Sequence, residues 1–422
     1  MDNKLSVWFS LVICALSLFI HESKIAAQEQ PEIDAGTKGF VINSADKNFQ
    51  LMIKAHMQVD GRMYASDEDK SSNDSFIIRR NRILFQGKLY KYFSYKIMPD
   101  FGSGKTELLD AYFDIRINPL LNLRFGKTKV PFGIELLQSP LDMLFIERAL
   151  TNNLVPNRDV GIMAFGETLK GIVNYQVSLS NGVIDGARGD TDESDDKDVS
   201  VRLILNPFKR SDIDELNGLS AGFAYTRGNR AGSKTAPCLP SYKSPGQATV
   251  FRYLSDGTAA GTAIAAGDNV RYSPHLYYHV GRLGVLGEYV VSSHEVAIGA
   301  TRDRLDHKAK NMTASLMLTR DAASYKAVIP QCLFDPDAGT WGAFELVGRY
   351  NELDVDDATF PILANSGSSI SKATAWAVGL NWYLNNMVRI SMDYEHTIYD
   401  GGSAHGDRDA ENVILTRFQL AY

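Results

Sequence analysis

The stretch FGSGKT, residues 101–106, contains the end of a phosphate-binding loop, whose full pattern is G-x-x-x-x-G-K-[ST]. In such a loop, glycines let backbone N–H groups surround a phosphate while the lysine neutralises its charge. The first glycine of the pattern is missing, because its position is occupied by Pro99. The residues after Thr106 also alternate like a strand instead of starting a helix. We therefore predict a turn between two antiparallel strands, with Lys105 exposed at the outer rim.

A second group of residues that could bind an oxyanion is the set of basic side chains at alternate strand positions. Arginine suits this role because its planar guanidinium donates to two oxygens at once. The polar face of the clearest strands carries ten bases: Arg80, Arg82, Lys88, Lys96, Arg116, Arg124, Arg202, Arg349, Arg389 and Arg417. The same face carries six acids: Asp100, Asp110, Asp114, Glu345, Asp393 and Glu395. This face is therefore positive, although the whole chain has a formal charge of −6.

The same residues allow another interpretation, in which bases and acids only brace a wall and leave a pore weakly selective. The face assignment also depends on strict alternation, since a shift of one residue turns every side chain to the opposite face. By strict alternation Arg79 falls on the outer face, and we predict it at the rim or in a subunit contact.

These side chains are positioned by segments in which apolar side chains alternate with polar ones. Clear examples are residues 199–208, 341–350, 374–385, 388–399 and 413–422. In the third of these, Trp376, Val378 and Leu380 share one face. Both a soluble β-sandwich and a membrane barrel fit such alternation. Charges on the second face of strand after strand, aromatic residues near strand ends, and short turns alternating with long loops favour the barrel.

We count sixteen strands between Phe49 and Tyr422, an even number that returns both ends of the barrel to the periplasm. The predicted fold is an all-β, closed antiparallel transmembrane barrel over residues 47–422, with residues 28–46 as a segment before it. Long extracellular loops are predicted near 66–75, 101–107, 130–160, 185–197, 230–270, 299–306, 356–370 and 400–410. The chain ends on the aromatic strand TRFQLAY, which is typical of bacterial outer-membrane barrels and is recognised by their assembly machinery.

The N-terminus predicts export to the outer membrane. Residues 1–27 combine a lysine, the apolar run Leu5–Ile20 and the small residues Ala26 and Ala27, as a secretory signal peptide does. The apolar run is short for a helix that spans a membrane. We therefore predict a bacterial outer-membrane protein surrounded by lipid and lipopolysaccharide.

Composition and motifs argue against other classes of function. The acidic charge argues against nucleic acid as a partner. The sequence contains no G-x-S-x-G, H-E-x-x-H or C-x-x-C motif, and His294 and Glu295 are isolated candidates for an enzyme at the barrel rim. His275 and His279 lie in an apparent strand, and the acidic run 189–198 lacks the spacing of a calcium loop. We predict no metal, no cofactor and no enzyme, with 189–198 as an exposed loop.

Three long stretches, 76–102, 108–135 and 147–161, resemble the phosphate-selective porin O and P family, and 341–354, 375–385 and the C-terminal strand fit the same family. The resemblance covers essentially the whole mature chain. It implies a barrel of sixteen strands, a homotrimer, and a third extracellular loop folded inward as the constriction. It also implies conduction of anions, with phosphate or polyphosphate preferred by the best-known members, along arginines and lysines of the pore wall.

In this chain the third loop corresponds to Val130–Val160. The candidates for the narrowest point are Lys127 and Lys129 at its base, with Ser139, Glu147, Arg148, Arg158 and Asp159 within it. The run QSPLDM departs from the cationic, serine-rich loop of the phosphate-specific members. Phosphate preference is therefore open while anion passage stands. The alternatives are a general small-solute porin with weak ion selectivity, or a closed structural or adhesive barrel.

Overall fold

The computed structural model describes residues 30–37, 39–66, 73–190 and 195–422. Sixteen antiparallel strands each pair with the next, and the last pairs with the first, which closes the barrel. The prediction of a closed all-β barrel of sixteen strands is confirmed. The strands are β1 Phe49–Ser66, β2 Ser75–Leu89, β3 Phe93–Asp100, β4 Glu107–Arg116, β5 Asn122–Lys129, β6 Arg158–Thr168, β7 Val173–Ser180, β8 Asp198–Leu205, β9 Ser220–Ala231, β10 Ile264–Val280, β11 Leu283–Ile298, β12 Thr301–Met317, β13 Ala343–Asp354, β14 Ile370–Tyr383, β15 Val388–Ser403 and β16 Glu411–Ala421.

Side chains alternate between the two faces of the wall. In β14, Trp376, Val378 and Leu380 are exposed on the outside, whereas Ala377 and Asn381, which occupy alternate positions of the same strand, are buried. The outer face is apolar, as contact with lipid requires, and the inner face carries the polar residues. Closure satisfies the backbone of every strand without leaving an edge in lipid.

The connections at the extracellular end agree with the predicted loops except at one place. β11 and β12 remain paired up to Ile298 and Thr301, so the predicted loop 299–306 is wrong and only Gly299 and Ala300 form the turn. Gly299 has a φ of 54°, which favours glycine. At the periplasmic end the connection 318–342 is long, although shorter turns were predicted in general to alternate with the long extracellular loops.

The connections contain only short elements. The helix α1 spans Ile134–Leu137, and 3-10 turns span Leu150–Leu154, Leu169–Gly171, Asp214–Leu216 and Asp357–Thr359. Small hairpins pair Ser241–Lys243 with Thr249–Arg252, and Phe334–Asp335 with Thr340–Trp341, while Gly406–Asp407 pairs with the end of β15. Among the described residues, no helix has the length and hydropathy to cross a bilayer.

Residues before the barrel form a hairpin, with strands Glu32–Gly36 and Gly39–Asn43. The second strand pairs with β1 beside Gln50–Ile53, just beyond the place where β16 ends. At that junction Phe40 and Tyr422 form an edge-to-face ring contact at 5.0 Å. The predicted signal peptide, residues 1–27, lies outside the described residues.

Three extracellular loops share one apolar core. Phe132 and Leu154 of the segment 130–157, Phe251 of the loop 232–263 and Leu363 of the loop 355–369 belong to the same buried cluster. Burial of these side chains holds the loops against one another, because apolar surface removed from water stabilises the packed state.

Candidate anion pathway

The inner wall carries the predicted bases in two different states. Six of the ten form ion pairs with carboxylates: Arg82–Asp100 (2.7 Å), Lys96–Asp110 (2.8 Å), Arg116–Asp114 (3.1 Å), Arg124–Asp114 (2.7 Å), Arg349–Glu395 (2.6 Å) and Arg417–Asp60 (2.6 Å). Most of these pairs join different strands and therefore brace the wall. Asp60 was not among the predicted acids because it lies in β1, whose faces were not assigned.

Three other predicted bases are buried and hydrogen-bond only to neutral groups. Arg80 donates to Gln58 at 2.7 Å, Arg389 donates to the carbonyl of Met143 at 2.9 Å, and Arg202 reaches Gln176 only at 3.4 Å. Within the described residues none of the three has an ion-pair partner. Such a cation produces a positive potential inside the barrel, because no described carboxylate forms an ion pair with it. Burying a charge without a counter-charge is also energetically costly. Lys88, the tenth base, is exposed at the periplasmic end of β2.

The prediction that Arg79 faces outward is wrong. Gln58 pairs with Arg80 while the next residue of β1, Val59, pairs with Ile78, so Arg79 is the extra residue of a β-bulge. The bulge turns Phe76 and Ile78 outward, where they are 87% and 52% exposed, and leaves Arg79 and Arg80 both on the inner side. Strict alternation fails at such a position.

The segment 130–157 is fastened to side chains of the wall. Three of its backbone N–H groups donate to wall residues: Ile134 to Glu288 (2.7 Å), Ile146 to Asp393 (2.6 Å) and Leu150 to Asn351 (2.9 Å). Three of its carbonyls accept from the wall: Leu144 from Asn381, Glu147 from Arg349 and Met143 from Arg389, each at 2.9 Å. The wall therefore supplies hydrogen bonds that a loop without regular structure cannot supply for itself.

Glu147 and Arg148 differ in their surroundings. The carboxylate of Glu147 accepts hydrogen bonds from Arg79 at 2.7 Å and from Arg62 at 3.0 Å. Burial opposes its ionisation, but the guanidinium groups of Arg79, Arg80 and Arg417 together outweigh burial and hold the pKa of Glu147 below its usual range. Burial lowers the pKa of Arg148 to about 10, so that it remains a cation at neutral pH.

The remaining predicted residues of this region have hydrogen-bond or ion-pair partners within the protein. Lys129 donates to the carbonyls of Leu136, Leu137 and Gln138 at 2.7, 3.2 and 2.9 Å, at the end of α1. Ser139 accepts from the N–H of Leu141 within its own turn. At the base of the loop, Lys127 pairs with Asp190, Arg158 pairs with Asp110 at 2.7 Å, and Asp159 accepts from the N–H of Gly182 at 2.5 Å.

A cavity of about 560 Å³ opens beside this loop, and we call it the extracellular chamber. Nine basic side chains line it: Arg79, Arg80, Arg82, Lys105, Lys129, Arg148, Arg158, Arg188 and Lys243. Its carboxylates are those of Glu107, Glu147 and Asp185. Sequence reasoning missed Arg79, Arg188 and Lys243, because two lie in loops and one in a bulge. Lys105 of the opening stretch is 63% exposed and pairs with Glu107 at 3.4 Å.

The periplasmic connection 318–342 also reaches this loop. The hydroxyl of Tyr325 donates to the carbonyl of Ile134 at 2.9 Å, and the amide of Gln138 donates to the carbonyl of Tyr325 at 2.6 Å. The ring of Tyr325 stacks on Tyr277 of β10 with centroids 4.6 Å apart. Residues 130–157 are therefore held from the periplasmic side as well as from the wall.

Of the two enzymatic candidates, His294 and Glu295, His294 has hydroxyl and carboxylate neighbours. Its Nε2 contacts both Ser292 Oγ and Asp185 Oδ2 at 3.0 Å, while Nδ1 contacts Asn269 at 2.7 Å. A catalytic triad uses different ring nitrogens for the nucleophile and the acid. Ser292 is also fully buried, so no substrate reaches it. Glu295 pairs with Arg302 at 2.8 Å.

A closed sixteen-stranded barrel with an apolar exterior and a predominantly basic chamber defines an outer-membrane porin that carries anions. The sequence matches the model of the family described as phosphate-selective porin O and P over residues 51–422, and the chain belongs to this family. Porin O of Pseudomonas aeruginosa is 24% identical over 417 residues, which cover 91% of each chain.

Two solved structures share the fold at low sequence identity. The outer-membrane channel DcaP of Acinetobacter baumannii is 11% identical, covers 89% of this chain and 98% of its own, and has a TM-score of 0.57. An anion-selective porin from Comamonas acidovorans is 11% identical, covers 89% of this chain and 100% of its own, and also has a TM-score of 0.57. The predicted fold, family and outer-membrane location are confirmed.

Proposed function

We propose that the protein conducts phosphate and related oxyanions through a constriction that the segment 130–157 forms by folding into the barrel lumen. The observation that carries this proposal is the extracellular chamber, where nine basic side chains face three carboxylates. A phosphate ion must exchange its water shell for N–H donors before it enters a narrow pore. Arg80, Arg82, Arg148 and Arg158 of this chamber offer such donors beside the loop.

Basic residues with and without an ion-pair partner have different roles in this proposal. Pairs such as Arg124–Asp114 hold the wall rigid and contribute little net charge. Arg80 and Arg148, which have no ion-pair partner within the described residues, supply the field that attracts an anion. Binding at several moderate sites in series permits release as well as entry, which conduction requires. The proposed pathway therefore runs along Arg80 and Arg148 past Lys129 and Arg158, with Lys127, Lys96, Arg116, Arg202, Arg349, Arg389 and Arg417 on the surrounding wall.

Inhibition of the chloride current in planar bilayers tests phosphate preference. We expect submillimolar phosphate to reduce the chloride current, whereas glucose at the same concentration leaves it unchanged. A chloride current that phosphate does not alter would favour a general anion or small-solute pore. The six braced pairs of the wall support that second candidate, because paired charges discriminate weakly.

The absence of any conductance would support a closed structural or adhesive barrel. We propose a channel without enzymatic activity, metal or cofactor. Two observations support the absence of enzymatic activity. Ser292 is buried, and both Ser292 and Asp185 contact the same nitrogen of His294, Nε2.

We propose further that residues 1–27 direct export, that the C-terminal strand is read by the barrel-assembly machinery, and that the barrel assembles as a homotrimer among outer-membrane lipid and lipopolysaccharide. Phe418 and Leu420 are 61% and 45% exposed on the outer face of β16, which supports recognition of this strand. The family resemblance supports the trimer. Crosslinking in membranes tests it: bands at three times the monomer mass are expected, and monomer alone would contradict it.

A further inference from the structure

A second large cavity lies at the periplasmic end of the barrel, and we call it the periplasmic chamber. Its volume is about 800 Å³, and it opens between the ends of β4 to β10. Carboxamides dominate its polar lining, among them Asn122, Asn174, Gln176 and Asn206. Fewer charged side chains line this chamber than line the extracellular chamber. The extracellular chamber therefore suits anionic groups, whereas the periplasmic chamber also suits uncharged polar groups of a solute.

Arg202 is the buried cation of this chamber. Only 8% of the residue is exposed, and its Nε has no hydrogen-bond partner among the described residues. Its other nitrogens reach Gln176 Oε1 at 3.4 Å and His275 Nε2 at 3.5 Å, both long contacts to neutral groups. A guanidinium without a carboxylate partner is poised to receive an anion from the lumen.

Among the described residues no carboxylate forms an ion pair with Arg202, although Glu167 lines the same chamber and the buried Glu288 interacts with Arg202 electrostatically. Arg116 is paired with Asp114 at 3.1 Å, and Lys209 is exposed on the turn 206–219, where its Nζ approaches the carbonyl of Gly171 at 3.5 Å. Arg202 is therefore the buried cation of this chamber, whereas the side chains of Glu167 and Lys209 are exposed to solvent.

The carboxamides around Arg202 retain hydrogen-bonding capacity. Among the side-chain contacts of the described residues, Gln176 makes the long contact with Arg202 and a contact of 3.8 Å with the sulfur of Met163. Asn122 and Asn174 donate to the backbone carbonyls of Phe165 and Gly171, and within the described residues their Oδ1 atoms accept no hydrogen bond. These groups can both donate to and accept from hydroxyls, as one carboxamide carries both functions.

We propose that the periplasmic chamber is a binding subsite for a hydroxylated organic phosphate monoester of the sugar phosphate class. Arg202 binds the phosphoryl group, and Gln176 with Asn122 and Asn174 binds hydroxyls of the organic part. Inorganic phosphate fills little of a cavity of about 800 Å³ and leaves the carboxamides unused. This inference rests on the proposed function as an anion channel, and it names an additional class of solute.

The test uses the full-length protein in planar bilayers and compares two blockers of the chloride current, glucose 6-phosphate and inorganic phosphate, added to both sides. For Arg202→Gln we expect the half-blocking concentration of glucose 6-phosphate to rise about tenfold and that of inorganic phosphate to change less than about twofold. Gln176→Leu is expected to weaken only the block by glucose 6-phosphate. Lys209→Gln removes the same charge from the same chamber and is expected to change neither block.

Equal effects of Arg202→Gln on both blockers, or no effect on either, would overturn the subsite. Arg202→Lys keeps the charge and loses the planar fork, so it is measured if Arg202→Gln does not fold; an unchanged block by glucose 6-phosphate in a folded Arg202→Lys channel would also overturn it. Different results contradict the proposed phosphate preference and the proposed subsite. A wild-type current that ignores inorganic phosphate contradicts the phosphate preference, whereas selective weakening of the glucose 6-phosphate block by Arg202→Gln supports the subsite in either case.

Discussion

Nε of Arg79 donates a hydrogen bond to Oε1 of Glu147 at 2.7 Å, and this contact joins a bulge in strand β2 to the segment 130–157. A second nitrogen of Arg79 reaches Oε2 of the same carboxylate at 3.1 Å. The geometry is bidentate, which gives an arginine–carboxylate pair both strength and direction. The bulge thus places the side chain of Arg79 on the inner side of the wall, where it binds the carboxylate of Glu147 in the segment 130–157.

Removal of this contact is expected to loosen the proposed constriction. In Arg79→Gln and in Glu147→Gln, we expect larger and noisier single-channel currents, because the loop loses its bidentate attachment. Because Glu147 also accepts a hydrogen bond from Arg62, the double variant is expected to resemble Glu147→Gln, with a coupling free energy of about 1–3 kcal/mol between the two sites. Single-channel recording checks the current, and Arg227→Gln is the matched control, since it breaks the exposed pair with Asp268 away from the loop. Additive effects of the two substitutions would contradict the contact.

Unpaired cations are expected to control selectivity more than paired ones. Arg80→Gln removes a charge that has no carboxylate partner, whereas Arg124→Gln removes one that Asp114 already compensates at 2.7 Å. We expect Arg80→Gln to lower the chloride-to-potassium permeability ratio severalfold and Arg124→Gln to lower it by less than about twofold. The ratio follows from reversal potentials in a salt gradient. Equal losses in the two variants would mean that pairing does not matter.

Tyr325 is expected to support the loop from the periplasmic side. Tyr325→Phe removes only the hydrogen bond to the carbonyl of Ile134, which contributes about 1 kcal/mol in a typical case. Tyr325→Ala also removes the stacking on Tyr277. The open-channel conductance is therefore expected to rise slightly in the first variant and clearly in the second. Tyr289→Ala on the outer face serves as the control; a conductance unchanged in Tyr325→Ala would refute this role.

The lowered pKa of Glu147 predicts how its contribution to stability depends on pH. A carboxyl whose pKa is depressed by folding stabilises the folded state above its ordinary pKa, and this stabilisation is lost as the pH falls through the depressed value. The heat stability of the wild type relative to Glu147→Gln is therefore expected to be constant from about pH 8 to about pH 5 and to shrink below about pH 4. Thermal unfolding in detergent checks this; a difference that already shrinks at pH 6 would be inconsistent with the lowered pKa.

Local alternation predicted the barrel because each strand carries its own pattern. In β4, Phe113 is 49% exposed while its neighbour Asp114 is buried, as the alternation indicated. The same rule failed at Arg79, because a bulge adds a residue without any signal in the composition. Similarly, β11 and β12 extend across the predicted loop 299–306, since polar residues such as Asp303 and Arg304 can continue a strand pair beyond the membrane.

The contacts of the candidate site were beyond the reach of sequence patterns. Glu147 and Arg62 are far apart in the chain, and Tyr325 lies in a periplasmic connection in which no site residue was predicted. Such contacts depend on how the loops fold over one another, which periodicity does not encode. Basic residues could be found from the sequence, but which of them lack a carboxylate partner could not. That distinction separates Arg80 and Arg202 from Arg82 and Arg417.

The reversal potential in a potassium chloride gradient tests the central claim most directly, namely that arginines of the inner wall make this barrel an anion channel. The reversal potential of the wild-type protein is expected to have the sign that indicates higher permeability to chloride than to potassium. Addition of phosphate is expected to shift this potential. Simultaneous replacement of Arg80, Arg82 and Arg124 by Glu is expected to reverse the sign. A wild-type potential near zero or of the cation-selective sign, or an unreversed potential in the folded triple variant, would contradict the account.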